Sequence, residues 1–217
     1  MKINIAIDGP SGAGKSTISN ILAEKLGYIH LDTGAMYRSV AYAALKRNIE
    51  LDDEDKVVEM ISKLDLNMNP DGTIICDGED ITNKIREPHM SMAASNVSKL
   101  KNVRAALVKM QQKMASNKGY ILDGRDIGTV VLTDAEVKIF LIASVEERTK
   151  RRVLQNEENG IKTEYKQIYD EIIARDYQDS HRENSPLKKA DDAIEIDSSN
   201  MSLDEVVNEV LKYVNKK

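Results

Sequence analysis

Gly9 to Thr17 read Gly-Pro-Ser-Gly-Ala-Gly-Lys-Ser-Thr, directly after the apolar run Ile3–Ile7. A strand, a glycine-rich loop and a helix in this order, with Gly-Lys-Ser closing the loop, form a phosphate-binding element. Gly9, Gly12 and Gly14 allow backbone N–H groups to face an anion with no Cβ in the way. The helix after the loop aims its positive end at the same point. Lys15 has the reach for β- and γ-phosphates, and the Ser16 hydroxyl suits Mg²⁺. Pro10, Ser11, Ala13 and Thr17 complete the stretch expected to hold ATP.

Four further groups of residues could do chemistry. In Asp32-Thr33-Gly34-Ala35-Met36-Tyr37-Arg38, Thr33 offers a hydroxyl at a helix start and Arg38 a two-pronged phosphate donor. The alternative is helix capping by Asp32 or Thr33 with a solvated Arg38. In Asp123-Gly124-Arg125-Asp126, Asp123 could join a Mg²⁺ shell, Arg125 bind phosphate and Asp126 accept from an exocyclic amine. A turn held by an Asp–Arg pair is the rival explanation. Over Thr163–Glu183, Tyr165, Ile168, Tyr169, Ile172 and Ile173 mark a buried helix face. Arg175, Asp179 and Arg182 continue its spacing, which suits a site or a structural ion-pair relay. Arg148, Arg151 and Arg152 share one side of a helix, as a basic solvated face or as phosphate ligands.

Positioning these groups requires a particular frame. Ile3–Ile7, Tyr28–Leu31, Tyr120–Leu122, Val137–Ile142 and Ala193–Ile196 are strand candidates. Helical patterns over Tyr37–Arg47, Val103–Ala115, Val145–Gln155 and Leu203–Val214 alternate with most of them. Ser202 and Glu205 are spaced as a capping box. The alternation predicts an α/β fold with a parallel sheet covered on both faces and ligands beyond the strands' carboxyl ends. Leu64–Thr82 breaks the pattern. Turn signals at Asn69-Pro70-Asp71-Gly72 and Asp77-Gly78 predict a small antiparallel sheet inserted into the core. Asn156–Lys162 is a polar loop suited to a moving lid.

Composition narrows the function classes. The 217 residues are 41% apolar and 31% charged, with a net charge of −5, as in ordinary globular proteins and unlike general nucleic-acid binders. Polymeric nucleic acid and membrane are therefore not expected partners. Cys76 is the one cysteine, so an internal disulfide is excluded. No apolar run approaches the ~18 residues of a membrane span. The chain enters a strand at once, without a signal-peptide pattern. A monomer in the reducing cytoplasm is expected.

Gly-Pro-Ser-Gly-Ala-Gly-Lys-Ser-Thr, Leu-Asp-Thr-Gly-Ala-Met-Tyr-Arg, Ile-Leu-Asp-Gly-Arg-Asp-Ile-Gly-Thr-Val-Val and Arg-Asp-Tyr-Gln-Asp-Ser-His-Arg together resemble the bacterial cytidylate kinases, of the nucleoside monophosphate (NMP) kinase group. The resemblance runs from Ile3 to about Val214. It implies a three-layer P-loop fold with a central five-stranded parallel sheet. The core would span 1–59 and 103–217, a small β-rich NMP-binding insertion 60–102, and a helical lid about 148–165. The implied activity is ATP- and Mg²⁺-dependent phosphorylation of CMP and dCMP.

By the same resemblance Thr33, Arg38, Arg125 and Asp179 would contact the acceptor's phosphate and sugar, with Tyr37 beside them. Ser95, Arg104, Asp126 and Arg182 would read cytosine. Arg175 would lie between the two phosphates, and Arg148, Arg151 and Arg152 would close over ATP. Lys15, Arg125, Arg175 and Arg148 would carry catalysis, with Ser16 and Asp123 at the metal. A phosphate acceptor is already anionic, so no general base is required. His30, His89 and His181 have no evident catalytic role. Two other readings stand beside this one. A kinase of another small acceptor, such as another nucleotide or shikimate, is opposed by Asp126 with Arg182. A nucleotide-sensing switch is opposed by the lack of an Asn-Lys-x-Asp segment.

Overall fold

The computed structural model describes residues 2–69, 71–158 and 160–217. Pro70 of the expected turn and Asn159 of the expected loop lie outside the described residues. The elements run β1 (Ile5–Asp8), α1 (Lys15–Leu26), β2 (Ile29–Asp32), α2 (Thr33–Lys46), α3 (Glu54–Ser62), β3 (Leu66–Met68), β4 (Ile74–Cys76), β5 (Glu79–Asp80), α4 (Pro88–Val97), α5 (Lys101–Met114), β6 (Tyr120–Gly124), β7 (Val137–Ile142), α6 (Val145–Glu158), α7 (Tyr165–His181), β8 (Ile194–Asp197) and α8 (Leu203–Val214). A five-residue π turn, Ile127–Val131, comes after β6.

β2-β6-β1-β7-β8 form one five-stranded sheet, parallel throughout. This is the expected α/β sheet, its strands within two residues of their predicted positions. Successive residues face opposite sides, as a pleated strand requires. Ile5, Ile7, Ile121, Ile139 and Leu141 pack with Ile18 and Leu22 of α1 and Val206 and Val210 of α8. Ala6, Leu31 and Leu122 face the other way, onto α2, α4 and α5. Buried on both faces, the strands are near-continuous apolar runs.

Two local devices shape the end of β1. Gly9 has φ 149, and a Cβ there would stand 2.0 Å from the Leu141 carbonyl oxygen, so only glycine lets the loop leave β1 beside β7. Gly14 has φ 91 and starts α1. At the far end of the chain the capping box of Ser202 and Glu205 forms as predicted.

The inserted region differs from expectation in its second half. β3, β4 and β5 make the antiparallel sheet over Leu64–Thr82, but the helix α4 fills much of the second half. The start of α4 carries no side-chain cap, only Pro88 in the first turn, which tolerates a missing N–H. Ile74, Cys76, Ile81, Ile85 and Met90 share the apolar cluster of Val40, Ala41 and Leu107. Alanines on both α2 and α4 allow the two helices to approach closely. The loop expected at Asn156–Lys162 begins later, because α6 continues to Glu158. The buried stripe of α7 is also narrower than predicted. Ile168 and Ile172 are buried, Tyr169 is half-buried, and Tyr165 and Ile173 are each 44% exposed. Tyr165 stacks on Tyr169, where a one-sided contact with a neighbouring helix leaves both partly in solvent.

Leu107 is fully buried where α5 meets this shared cluster. Leu107→Ala should lower unfolding free energy by about 2–5 kcal/mol, measured by urea denaturation; a loss below about 1 kcal/mol would mean that the site collapses around the smaller side chain.

Candidate active site

The register of the sheet sets three acidic residues side by side. Asp32 on β2 pairs with Asp123 on β6, and Asp8 on β1 pairs with Gly124. The phosphate-binding loop springs from the residue after Asp8, so these carboxylates stand along its edge. Asp8 accepts from the backbone N–H groups of Ile127 and Gly128, both at 2.7 Å. Burial pushes its pKa up to about 6 against those two bonds. It thereby ties the loop carrying Arg125 and Asp126 to the root of the phosphate-binding loop.

Lys15 is 6% exposed and donates to the carbonyls of Gly9 and Pro10 at 2.8 and 2.7 Å. Burial, then the charge of Arg125, brings its pKa down to about 7. Ser16 Oγ donates to Asp123 Oδ2 at 2.7 Å. The other carboxylate oxygen, Oδ1, faces His30 Nε2 at 2.9 Å, and His30 Nδ1 meets Asn20 Oδ1 at 2.7 Å. Burial opposes charge on both members of the His30–Asp123 pair. Their mutual bond and attraction outweigh it, so His30 is held above its ordinary pKa and Asp123 below. His30 therefore has a structural partner that its sequence context did not announce.

Hydroxyl and carboxylate oxygens 2.7 Å apart are hard donors of the kind Mg²⁺ takes. Among the described residues no three His, Cys, Asp or Glu side chains cluster as a metal cage. That fits an ion that completes its shell with phosphate oxygens and water.

Beyond the loop, guanidinium groups converge from four elements. Arg38 of α2 bonds Asp32 at 2.9 Å, and Asp32 also caps α2 by accepting from Ala35 N. Arg125, after β6, donates to Asp179 of α7 at 2.7 Å. Arg175 lies 3.9 Å from the same carboxylate. Burial, then Arg125, lowers the pKa of Arg175 to about 9. Arg152 of α6 is depressed by burial, then by Arg38 and Arg125. The Nε atoms of Arg38 and Arg175 are buried with no hydrogen-bond partner among the described residues.

Thr33 sits at the edge of this group, its hydroxyl donating to the Asp123 carbonyl at 2.7 Å. A Cβ on Gly124 would lie 2.7 Å from that hydroxyl, which explains the glycine.

A second pocket adjoins the first. Asp126 is 5% exposed. It pairs with Arg104 of α5, and its other oxygen lies 3.8 Å from Arg182. Arg104 lies over the Tyr37 ring at 5.4 Å. The Tyr37 hydroxyl is buried and unpartnered among the described residues, and burial pushes its pKa up to about 12. Ser185, at φ 50, presents its carbonyl to Arg182 Nε at 2.7 Å. Ser95 of α4 lies one turn before Ser98, which meets Arg104 and Arg182, and its hydroxyl accepts from Gln178 Nε2.

The three α6 arginines divide. Arg148 is wholly engaged, with Ala143 O at 2.9 Å, Ser11 O at 3.0 Å and Asp176 at 2.7 Å. Arg151 donates to Ser198 O at 2.7 Å and reaches Ala13 O at 3.4 Å. Both hold the outer carbonyls of the phosphate-binding loop, while Arg152 joins the arginine cluster. Thr17 is exposed. Asp8, His30 and Gln178 were missed from sequence. Asp8 lies next to the loop and could have been suspected; Gln178 carries no sequence signal.

A family model for cytidylate kinase matches residues 5–216. The chain belongs to the cytidylate kinase family. A cytidylate kinase of Caldicellulosiruptor saccharolyticus is 54% identical over 99% of this chain and 96% of that protein. Another from Bacillus subtilis is 48% identical over 100% and 98%. A solved structure of an uncharacterized protein from Eubacterium ventriosum aligns over the whole of both chains, with TM-score 0.55 at 15% identity. At that identity it bears on the fold alone.

With its pKa brought down to about 7 in the free protein, Lys15 is partly neutral near pH 7. A bound polyphosphate favours the charged form and raises that pKa, so nucleotide binding should take up a fraction of a proton near pH 7. Calorimetry in buffers of different ionisation enthalpy measures this. The uptake should vanish in Lys15→Met; equal uptake by both proteins would place the titrating group elsewhere.

Proposed function

We infer that this protein transfers the γ-phosphoryl group of ATP to CMP and dCMP, giving CDP and dCDP. The observation that carries the reading is the surplus of buried guanidinium between the phosphate-binding loop and the Asp126 pocket. Arg38, Arg125, Arg152 and Arg175 converge there, and among the described residues Asp32 and Asp179 are the carboxylates bonded to them. Such a cluster suits two phosphate-bearing ligands meeting end to end.

Gly9 to Thr17 hold the triphosphate, and Lys15 leaves its two loop carbonyls to neutralise the β- and γ-phosphates. Arg148 and Arg151 keep the Ser11 and Ala13 carbonyls turned outward, so the loop's N–H groups face the nucleotide. Arg38 and Arg125 grip the acceptor phosphate beside Thr33. Asp179 faces the sugar, and Arg175 bridges the two phosphates. Arg104, Asp126, Arg182 and Ser95 read the cytosine edge, with Tyr37 as the wall. The acceptor oxygen is already anionic, so these residues supply alignment and charge neutralisation rather than proton abstraction. Ser16 and Asp123 would hold Mg²⁺, which supplies further neutralisation of phosphoryl oxygens when bound.

In this reading 1–59 and 103–217 are the kinase core, 60–102 the NMP-binding insertion and about 148–165 the lid. The enzyme works as a cytoplasmic monomer. Among the described residues no helix is long and apolar enough to cross a membrane.

A coupled ADP-release assay across nucleoside monophosphates should show CMP and dCMP preferred; another preferred acceptor would overturn the substrate assignment. Lys15→Ala should cost on the order of 10²-fold or more in kcat, and a folded variant with near wild-type turnover would refute the role of Lys15. Asp126→Ala should narrow the CMP-to-UMP ratio of kcat/KM, because uracil lacks the 4-amino donor. An unchanged ratio would move base recognition away from Asp126.

A further inference from the structure

Two rungs join α4 to α7 at the back of the Asp126 pocket. Gln178 Nε2 donates to Ser95 Oγ, and Arg182 Nη1 lies 3.5 Å from Ser98 Oγ. Ser98 caps the end of α4 three residues after Ser95, and Arg182 caps the end of α7 four residues after Gln178, so the two rungs lie about one turn apart. Ser98 Oγ in turn donates to the Ser95 carbonyl at 2.9 Å, and Arg104 donates to the Ser98 carbonyl at 3.3 Å.

Ser95 is 4% exposed. Its hydroxyl oxygen receives a hydrogen from Gln178, and no described residue accepts the hydrogen of Ser95 itself. A hydroxyl in this state presents its own hydrogen to whatever occupies the pocket. With Gln178 in place the pocket therefore offers donors from Arg104, Arg182 and Ser95 and an acceptor from Asp126. The cytosine edge reads amino donor, ring-nitrogen acceptor, carbonyl acceptor. The uracil edge reads carbonyl acceptor, N–H donor, carbonyl acceptor. Set against the ring nitrogen, a fixed Ser95 donor meets an acceptor in cytosine and a hydrogen in uracil. Left without Gln178, the hydroxyl can rotate and serve either base.

We propose that Gln178 is a positioning residue for acceptor selection, acting through Ser95 by orienting its hydroxyl as a donor. This rests on the reading that the pocket binds the acceptor base. Gln178 also borders an open groove of about 490 Å³ with Tyr177 and His181, so its side chain can be changed without opening the core.

The experiment is a double-mutant cycle on the full chain: wild type, Gln178→Ala, Ser95→Ala and the double variant, each checked by thermal melting. The readouts are kcat and KM for CMP, UMP and ATP. Gln178→Ala should lower the CMP-to-UMP ratio of kcat/KM about tenfold, mainly through KM for CMP, with KM for ATP unchanged. In the Ser95→Ala background the same change should have no further effect on the ratio. Gln178→Glu keeps the shape but can only accept from Ser95, so it should depress the ratio below that of Gln178→Ala. Gln178→Met, which keeps the length and drops the amide, replaces the alanine variant if that one does not fold. An unchanged ratio, or an equal fall with and without Ser95, overturns the proposal. A wild-type enzyme with no preference for CMP overturns the acceptor reading itself, and this proposal with it.

Discussion

Arg125 and Arg175 share one carboxylate, Asp179, while Arg38 and Arg152 press on them from the other side. Like charges crowded away from water repel, and withdrawing four guanidinium groups from solvent costs more than Asp32 and Asp179 return. A chain free to relax would swing these side chains outward. They stay because each is rooted in a different rigid element: α2, the end of β6, α6 and α7. The sheet and its two apolar faces hold those roots; in the proposed function, the phosphates of the two substrates relieve the repulsion. Stability stored in the core is converted here into a site that is poorly neutralised when empty.

The same logic separates the two halves of the site. Next to the phosphate-binding loop, charge is in excess and the partners are few. Around Asp126 the group is smaller, with one carboxylate between Arg104 and Arg182 and a wall formed by Tyr37. In the proposed function the first region draws phosphate groups by charge, and the second tests the pattern of donors and acceptors on a base. Asp8 joins them, since its carboxylate holds the N–H groups of Ile127 and Gly128 while its own backbone leads into Gly9.

Much of this could be read from residue types. The glycine-rich loop declares its shape because φ 149 at Gly9 and φ 91 at Gly14 are accessible to glycine at little cost. The five core strands were legible as apolar runs, and Ser202 with Glu205 as a helix start. α4 was not, since it begins at a proline without a side-chain cap and its burial comes from fitting alanines against α2. The extent of α6 and the narrow stripe of α7 were misjudged because neighbouring helices, rather than period alone, decide which side is covered. In the site, charges at strand ends stood out from spacing. His30 did not, because its partner Asp123 lies 93 positions away. Arg148, Arg151 and Arg152 look alike in sequence, and only packing separates two that grip backbone carbonyls from one that faces the arginine cluster.

That separation has a mechanical consequence. Arg148 and Arg151 rivet the first two turns of α6 to the carbonyls of Ser11 and Ala13 and to Ser198. The base of the helix thus belongs to the same rigid body as the phosphate-binding loop. Any displacement of the segment beyond it must pivot past Arg151. The remaining helical arm, from Arg152 to Glu158, is about 10 Å long at roughly 1.5 Å per residue. In the lid reading, so short a lever swings at its tip while the loop's amides, one rivet away, keep their aim.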